Sequence, residues 1–395
     1  MTLPTLLLKK SEDRRIRAGH PWIYSNEVDT AKTPLKSFSA GEEVMVTAQD
    51  KSVLGIAYIN PHSLITARML TWDAKQPFDN TLVQKRLQQA LNIRERLFDK
   101  PFYRLVFGES DNLPGLVIDR FNNDIVMQIN TAGMEAKIDM IADAIHGVLP
   151  NTHSILLRND SQMRELEGLE SYSKAIYGTP PDDVIIEENN VRFAVPLWKG
   201  QKTGWFYDHR MTRARLQAYV NDKSVLDVFS YLGGWGVQAA AFGATHVDCV
   251  EASAFACDYI QKNAALNNTP NVKAICDDAF DALKSLIQEK RQYDVIVLDP
   301  PAFVKRFKDR KEGIIAYQRV NELALKLLSA DGVLFSCSCS MHVSMEDLTQ
   351  LLQRAAVRAG KQVQILERGH QGPDHPLHVA IPETDYLKAI ICHCI

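Results

Sequence analysis

The sequence lacks any apolar run of about 18 residues, which is the length that a helix needs to cross a bilayer. Its first ten residues place Lys9 and Lys10 after a short leucine run, whereas a secretory signal peptide begins with its basic residues and continues with a longer apolar segment. We therefore predict a cytoplasmic protein with no membrane partner.

Cysteine is absent until Cys249, and all seven cysteines lie in the remaining part of the chain. An odd number clustered in one half of a long chain argues against a disulfide framework. The two close pairs have one residue between their members, whereas structural zinc sites use wider spacing and four ligands, so no metal site is predicted. The cysteines are Cys249, Cys257, Cys276, Cys337, Cys339, Cys392 and Cys394.

The chain also lacks an excess of positive charge and the common glycine patterns of phosphate sites. Its formal net charge is −3, and neither G-x-G-x-x-G nor a Walker loop is present. Nucleic-acid binding is still open, because it requires only a local basic face. Basic residues cluster at residues 9–17 and at residues 305–311, and for the first cluster a solvated surface is the simpler interpretation.

A length of 395 residues predicts two or three domains, because single cores stop growing beyond about 250–300 residues. Residues 1–72 are rich in turns and strand-like alternation, which predicts a small β-rich domain. Residues 73–190 combine a helical pattern with strand-like segments, which predicts a central α+β domain. Residues 191–395 alternate short apolar strands with helical stretches, which predicts an α/β domain with a doubly wound, mainly parallel sheet. Two final apolar segments, Val363–Leu366 and Tyr386–Ile391, are expected to close this sheet as an antiparallel pair.

Acidic residues or glycines stand at the ends of four successive predicted strands of this last domain. Asp227 ends the first strand, and the turn Ser230–Gly236 follows it. Glu251 ends the second strand, Asp278 the third and Asp299 the fourth. This series resembles the S-adenosylmethionine site of class I methyltransferases. The resemblance implies that Asp227 and the glycines, Gly233 among them, flank the methionyl part of the cofactor, Glu251 the ribose and Asp278 the adenine. It also places Ser230 in the cofactor site.

A carboxylate and a thiol follow the fourth and fifth strands, which are neighbours in this kind of sheet. The fourth runs into Asp299-Pro300-Pro301, and the fifth runs into Cys337-Ser338-Cys339. Carbon 5 of cytosine is a poor nucleophile until a thiolate adds to carbon 6, so a cysteine here favours cytosine-C5 methylation. The simpler alternative is that the cysteines only pack, because free cysteine is among the most buried residue types. We expect Cys339 to react, because it lies beyond the apolar run, and Cys337 to pack.

Several segments together resemble the RlmI-type ribosomal RNA large-subunit cytosine-C5 methyltransferases. They include Gly19–Ser25, Gly200–Arg210, Leu226–Gly234, Leu298–Phe303 and Ser338–Ser340. The resemblance implies an N-terminal PUA domain, a central α+β domain and a C-terminal class I methyltransferase domain. It implies S-adenosylmethionine as cofactor and large-subunit ribosomal RNA as partner. The position of the basic residues 305–311 beside Asp299 then favours contacts with RNA phosphates over a solvated loop.

The same resemblance assigns the catalytic nucleophile to Cys339 and the catalytic acid to Asp299, and it adds Lys202 and Thr203 to the cofactor or substrate site. Asp299 would bond the N3/N4 edge of cytosine, and the base would be single-stranded or flipped. Two other functions stay open. One is methylation of a guanine or adenine nitrogen in RNA, for which Asp299-Pro300-Pro301 suffices. The other is a non-catalytic RNA-binding factor for ribosome assembly. The oligomeric state is also open, a homodimer included.

Overall fold

The structure is a computed structural model, and it describes residues 3–395. Two compact units divide the chain. The first comprises the described residues up to Val184 together with Pro196–Trp205 and Pro373–Thr384; the second comprises Ile185–Val195, Phe206–Gly372 and Asp385–Ile395. The three domains expected at residues 1–72, 73–190 and 191–395 stay a prediction.

The first sheet of the first unit has five strands in the order β1-β3-β4-β5-β2. Strand β1 runs parallel to β3, and the other pairs are antiparallel. The strand-like alternation predicted for residues 1–72 is confirmed by these strands. The elements are β1 (Thr5–Leu7), α1 (Asp13–Arg17), β2 (Trp22–Tyr24), β3 (Glu42–Thr47), β4 (Val53–Ile59) and β5 (Ile65–Thr71).

The second sheet of the first unit also has five strands, in the order β10-β9-β8-β7-β6. Strands β8 and β9 are parallel, because α4 carries the chain back across the sheet between them. Strands β6 and β10 were not predicted. The elements are α2 (Asn80–Leu97), β6 (Phe102–Phe107), β7 (Leu116–Phe121), β8 (Asp124–Ile129), α3 (Ala132–Glu135), α4 (Ile138–Val148), β9 (Ser154–Asn159), α5 (Met163–Leu166) and β10 (Tyr172–Tyr177).

A two-stranded ribbon of β11 (Asp183–Glu188) and β12 (Val191–Pro196) precedes the main sheet of the second unit. That sheet has seven strands in the order β15-β14-β13-β16-β17-β19-β18. Its strands are β13 (Ser224–Val228), β14 (His246–Glu251), β15 (Val272–Cys276), β16 (Tyr293–Leu298), β17 (Leu328–Ser338), β18 (Val363–His370) and β19 (Lys388–Cys394). Its helices are α6 (Arg210–Ala214), α7 (Gly236–Ala241), α8 (Ala254–Leu266), α9 (Ala279–Gln288), α10 (Arg310–Leu327) and α11 (Met345–Ala359).

The first five strands of this sheet are parallel, and β19 pairs antiparallel with both β17 and β18. The predicted antiparallel closure is therefore confirmed. Strand order reverses between β13 and β16, which is the point where open α/β sheets bind their ligands at the carboxyl ends of the strands. Register aligns Val228 with Leu298 and Leu298 with Ser336, so the residues that follow these three strands emerge at one edge.

The apolar pattern of these strands explains which face of the sheet each side chain occupies. Leu226, Val228, Ile296 and Leu298 all join one buried cluster with α9, α10 and α11. Successive strand residues face opposite sides of a sheet, so Asp227 lies on the other face from Leu226 and Val228. Helix α11 has typical capping residues at both ends. It starts with a capping box at Ser344 and ends before a left-handed Gly360.

One disulfide joins Cys257 in α8 to Cys276 at the end of β15. The expectation that the cysteines form no disulfide framework therefore needs a correction, because one pair is bonded. The other five cysteines are free thiols. Among residues 3–395, no helix is both long enough and apolar enough to cross a membrane.

Candidate active site

The turn after β13 holds an unusual backbone. Phe229, Tyr231 and Gly233 have φ angles of 68°, 50° and 82°, so three residues in this short stretch are left-handed. Glycine adopts this region without cost, but an aromatic residue there is strained, and such strain concentrates at ligand sites. The turn therefore has a conformation that its sequence alone would not favour, and the surrounding fold holds it.

Asp227 and Gly236 connect this turn to the start of α7. The Gly236 amide donates to Asp227 Oδ2 at 2.9 Å. A Cβ at Gly236 would lie 2.2 Å from Cys249 Sγ, so only glycine fits there. Asp227 Oδ1 is buried and has no hydrogen-bond partner among residues 3–395. Burial raises the pKa of Asp227 to about 7. A buried acceptor without a donor indicates a place where a ligand supplies the donor.

Glu251 and Ser230 support the same turn. The two Glu251 oxygens accept hydrogen bonds from the amides of Tyr231 and Ser253, each at 2.9 Å. The Ser230 hydroxyl donates to the Asp227 carbonyl at 2.8 Å. Glu251 therefore fixes the turn to the end of β14, and its remaining acceptor capacity can serve a ligand. The Ser230 hydroxyl therefore stabilises the turn itself.

Asp278 lies after β15 and caps α9. Its Oδ1 accepts hydrogen bonds from the amides of Phe280 at 2.9 Å and Asp281 at 3.3 Å, and the residue is exposed. This is the ordinary role of aspartate at a helix N-terminus. An adenine contact at Asp278 stays a prediction.

Lys202 and Thr203 belong to the first unit, unlike the other predicted cofactor residues. Lys202 has a left-handed φ of 52° in a turn. Thr203 is fully buried, and its hydroxyl donates to Asp119 Oδ2 at 2.5 Å within that unit. The Thr203 side chain thus has a structural partner, and a cofactor role for these two residues stays a prediction.

Asp299 is held by two donors directly after β16. His209 Nε2 lies 3.0 Å from Oδ1, and the Trp235 indole N–H donates to Oδ2 at 2.9 Å. Burial acts to raise the pKa of Asp299, but the neighbouring His209 and the Trp235 hydrogen bond outweigh it and bring the pKa below its ordinary value. The side chain is 19% exposed. Asp299 is therefore an oriented carboxylate that a ligand can reach. Because its pKa is low, the side chain is ionised and accepts hydrogen bonds rather than donating a proton.

His209 is one of the residues at this site that sequence reasoning did not assign. It is buried, and its Nδ1 has no hydrogen-bond partner among the described residues. Its ring packs edge-on against Trp235, with centroids 5.4 Å apart. The only sequence signal was its place in the segment Gly200–Arg210, because nothing local connects His209 with a carboxylate 90 positions later.

The two cysteines at the end of β17 have different surroundings. Cys337 is 1% exposed, and burial raises the pKa of its thiol well above the ordinary value. The Cys337 Sγ lies within 4.8 Å of a ring nitrogen of His209 and a carboxylate oxygen of Asp299, and these three groups could in principle bind a metal ion. However, His209 already bonds Asp299, and a structural zinc site needs four ligands. Cys339, just past the strand, is partly exposed, and its Sγ lies 3.9 Å from the Pro300 carbonyl oxygen.

Ser340 fixes the loop that carries Cys339. Its hydroxyl accepts from the Val304 amide at 3.2 Å and bonds the Tyr317 hydroxyl at 2.9 Å. Its carbonyl accepts from Lys388 Nζ at 2.9 Å. Burial lowers the pKa of Lys388, although nearby acidic groups, Cys339 among them, act in the opposite direction. These contacts bring the Asp299 loop and the Cys339 loop together, and sequence reasoning missed Lys388.

Two protein-family models match the chain. One, described as a PUA-like domain, matches residues 6–72. Another, described as an S-adenosylmethionine-dependent methyltransferase, matches residues 162–391. S-Adenosylmethionine is therefore the cofactor. The residues present fit it, because Asp227 offers an unpartnered acceptor beside a glycine turn, suited to the cofactor's ammonium group.

Curated relatives cover nearly the whole chain. Proteins named ribosomal RNA large subunit methyltransferase I from Aliivibrio fischeri and Tolumonas auensis are 35% and 37% identical, respectively, each over 99% of both chains. A solved structure from Streptococcus mutans, titled as a candidate S-adenosylmethionine-dependent methyltransferase, shares the fold with a TM-score of 0.83 and 20% identity over 99% of this chain and 100% of that one. A second, complexed with SAH, has a TM-score of 0.84 at the same identity and coverage.

The PUA-like domain, the Rossmann-like methyltransferase fold and the full-length similarity agree with one another. The chain belongs to the family of ribosomal RNA large subunit methyltransferase I and carries an S-adenosylmethionine-dependent methyltransferase domain.

Proposed function

We propose that the protein methylates carbon 5 of a cytosine in large-subunit (23S) ribosomal RNA through a covalent adduct with Cys339. The observation that carries this proposal is the position of Cys339: a partly exposed thiol just past β17, with Sγ 3.9 Å from the Pro300 carbonyl of the Asp299 turn. The relatives' names supply the RNA class. As these are bacterial proteins, we place the reaction in the cytoplasm.

Each residue has a defined part in this reaction. The Cys339 thiolate adds to carbon 6, so that a sulfur–carbon bond forms and carbon 5 becomes nucleophilic. Lys388 places an ammonium group beside this loop, and a neighbouring cation favours the thiolate form. The Asp299 carboxylate accepts a hydrogen bond from the cytosine amino group and thereby orients the ring. Once carbon 5 carries the methyl group, a water molecule held by the Asp299 carboxylate takes the proton from carbon 5. The electron pair of that carbon–hydrogen bond forms the 5,6 double bond again, the sulfur–carbon bond breaks, and Cys339 leaves as a thiolate.

S-Adenosylmethionine, when bound, supplies the electrophilic methyl group. The residues that would hold it are Asp227, through its unpartnered oxygen, Gly233 in the strained turn, and Glu251 at the end of β14. Ser230, Asp278, Lys202 and Thr203 complete the proposed set. Asp227 lies on the strand next to β16, so cofactor and base would meet where strand order reverses.

Nucleoside analysis tests the proposal. Large-subunit ribosomal RNA transcribed in vitro is incubated with the protein and labelled S-adenosylmethionine, digested, and separated by liquid chromatography with mass spectrometry. We expect the label in 5-methylcytidine. Label in a methylated guanosine or adenosine would instead support N-methylation, and RNA binding without any methyl transfer would support an assembly factor.

A further inference from the structure

An aromatic side chain stands in solvent on the loop that follows Asp299. Phe307 is 75% exposed and begins a short 3₁₀ turn, Phe307–Asp309, before α10. A single exposed apolar residue is common and needs no explanation by itself. Phe307 differs because a second ring accompanies it. The imidazole of His342 lies edge-on to it, with centroids 6.1 Å apart.

The two rings come from the two loops that carry the proposed catalytic groups. Phe307 follows Asp299 by eight residues, and His342 follows Cys339 by three. The Ser340 hydroxyl accepts from the Val304 amide between these loops, and Arg310 pairs with Asp347 at 2.6 Å where α10 and α11 begin. The rings are therefore positioned by contacts of the catalytic loops themselves.

Positive charge surrounds Phe307. Arg306 pairs with Asp309 at 2.9 Å, but Lys305 and Lys308 are exposed and have no acidic partner among residues 3–395. A merely solvated loop would explain the lysines but not the exposed ring between them. Aromatic rings next to unpaired cations are the surface that single-stranded nucleic acids use, because bases stack on the rings and phosphates bind the cations.

We propose that Phe307 and His342 form a stacking platform for an unpaired RNA base flanking the target nucleotide, with Lys305 and Lys308 contacting the adjoining phosphates. This inference rests on the proposed function only in taking RNA as the substrate. The platform would hold the strand open beside the catalytic loops, which a base needs before it can enter an active site.

Fluorescence anisotropy with a labelled single-stranded RNA of about 12 nucleotides tests the platform, because single-strand sites span about 4–16 nucleotides. Phe307→Ala should weaken RNA binding by about tenfold, as expected for one lost base stack. Phe307→Trp should preserve it. Val357→Ala, which removes an equally exposed apolar side chain on α11, is the matched control and should bind like the wild type. Wild-type affinity in Phe307→Ala would overturn the proposal.

The salt dependence of RNA binding tests the two lysines separately. Lys305→Ala and Lys308→Ala should each reduce the slope of log affinity against log salt by about 0.7, the value for one phosphate contact on a single strand. An unchanged slope in both variants would refute the phosphate contacts. Nucleoside analysis of the wild type separates the two proposals. If 5-methylcytidine is absent but Phe307→Ala weakens RNA binding, the cytosine chemistry fails and the platform stands.

Discussion

Replacing Asp299 with asparagine tests whether its carboxylate contributes to the reaction. The side chain keeps its shape, but only one of its two outer atoms can still accept a hydrogen bond. His209 and Trp235 approach the two carboxylate oxygens at 3.0 and 2.9 Å, so one of them would face an amide NH₂ group. Hydrogen bonds to charged groups each contribute about 1.5–3 kcal/mol. Asp299→Asn therefore loses at least one such bond and the charge that orients the cytosine.

The rate consequence follows from the role of the carboxylate. Groups that assist proton movement contribute about 10²–10⁴-fold, so the single-turnover rate of methyl transfer should fall by about that factor, or about 2.7–5.4 kcal/mol. Binding of S-adenosylmethionine, measured by calorimetry, should persist. Asp294→Asn is the matched control. It lies near the opposite end of β16, where its carboxylate accepts from the Ser224 amide and hydroxyl, and its rate should stay near that of the wild type. A wild-type rate in Asp299→Asn would refute the reasoning.

Three further predictions concern the cofactor turn and the cysteines. Because burial raises the pKa of Asp227 to about 7, its carboxyl ionises as the pH rises through that value. Calorimetry should thus show affinity for S-adenosylmethionine increasing between pH 6 and 8, by up to about tenfold, and Asp227→Asn should abolish this dependence. Gly236→Ala places a Cβ 2.2 Å from Cys249 Sγ, so overpacking should cost about 1–3 kcal/mol and lower the melting temperature in calorimetry; an unchanged temperature would contradict this. Thiol titration of the denatured protein should find five thiols before reduction and seven after it, whereas seven before reduction would contradict the Cys257–Cys276 bond.

The sequence predicted the main sheet well because its strands are short, apolar and separated by helices. Parallel strands of this kind have few alternative arrangements, so the adjacency of β16 and β17 followed from chain order and family resemblance. Strand β10 was missed because all six of its side chains are exposed or half-buried and show no regular alternation. Strand β6 contains Arg104, whose bidentate pair with Asp119 is a tertiary contact that no local pattern reveals.

The candidate site was predictable only where its residues follow strands. Asp299 and Cys339 lie just past neighbouring strand ends, and that position is readable from an apolar run. His209 and Lys388 reach the site through long-range contacts from irregular or distant segments, which spacing cannot encode. The Cys257–Cys276 pair was missed for a related reason. Counting cysteines tests for a framework of several bridges, whereas one bond between a helix and a strand depends on packing.

Covalent trapping tests the central claim most directly. RNA containing 5-fluorocytosine retains fluorine where a proton should leave, so the adduct with the nucleophile persists and is resolved by denaturing electrophoresis. We predict that wild type and Cys392→Ala form the complex and that Cys339→Ala does not. Cys392 is a suitable control because it is buried in β19 and burial raises the pKa of its thiol to about 12. A complex that survives in Cys339→Ala and disappears in Cys337→Ala would contradict the account.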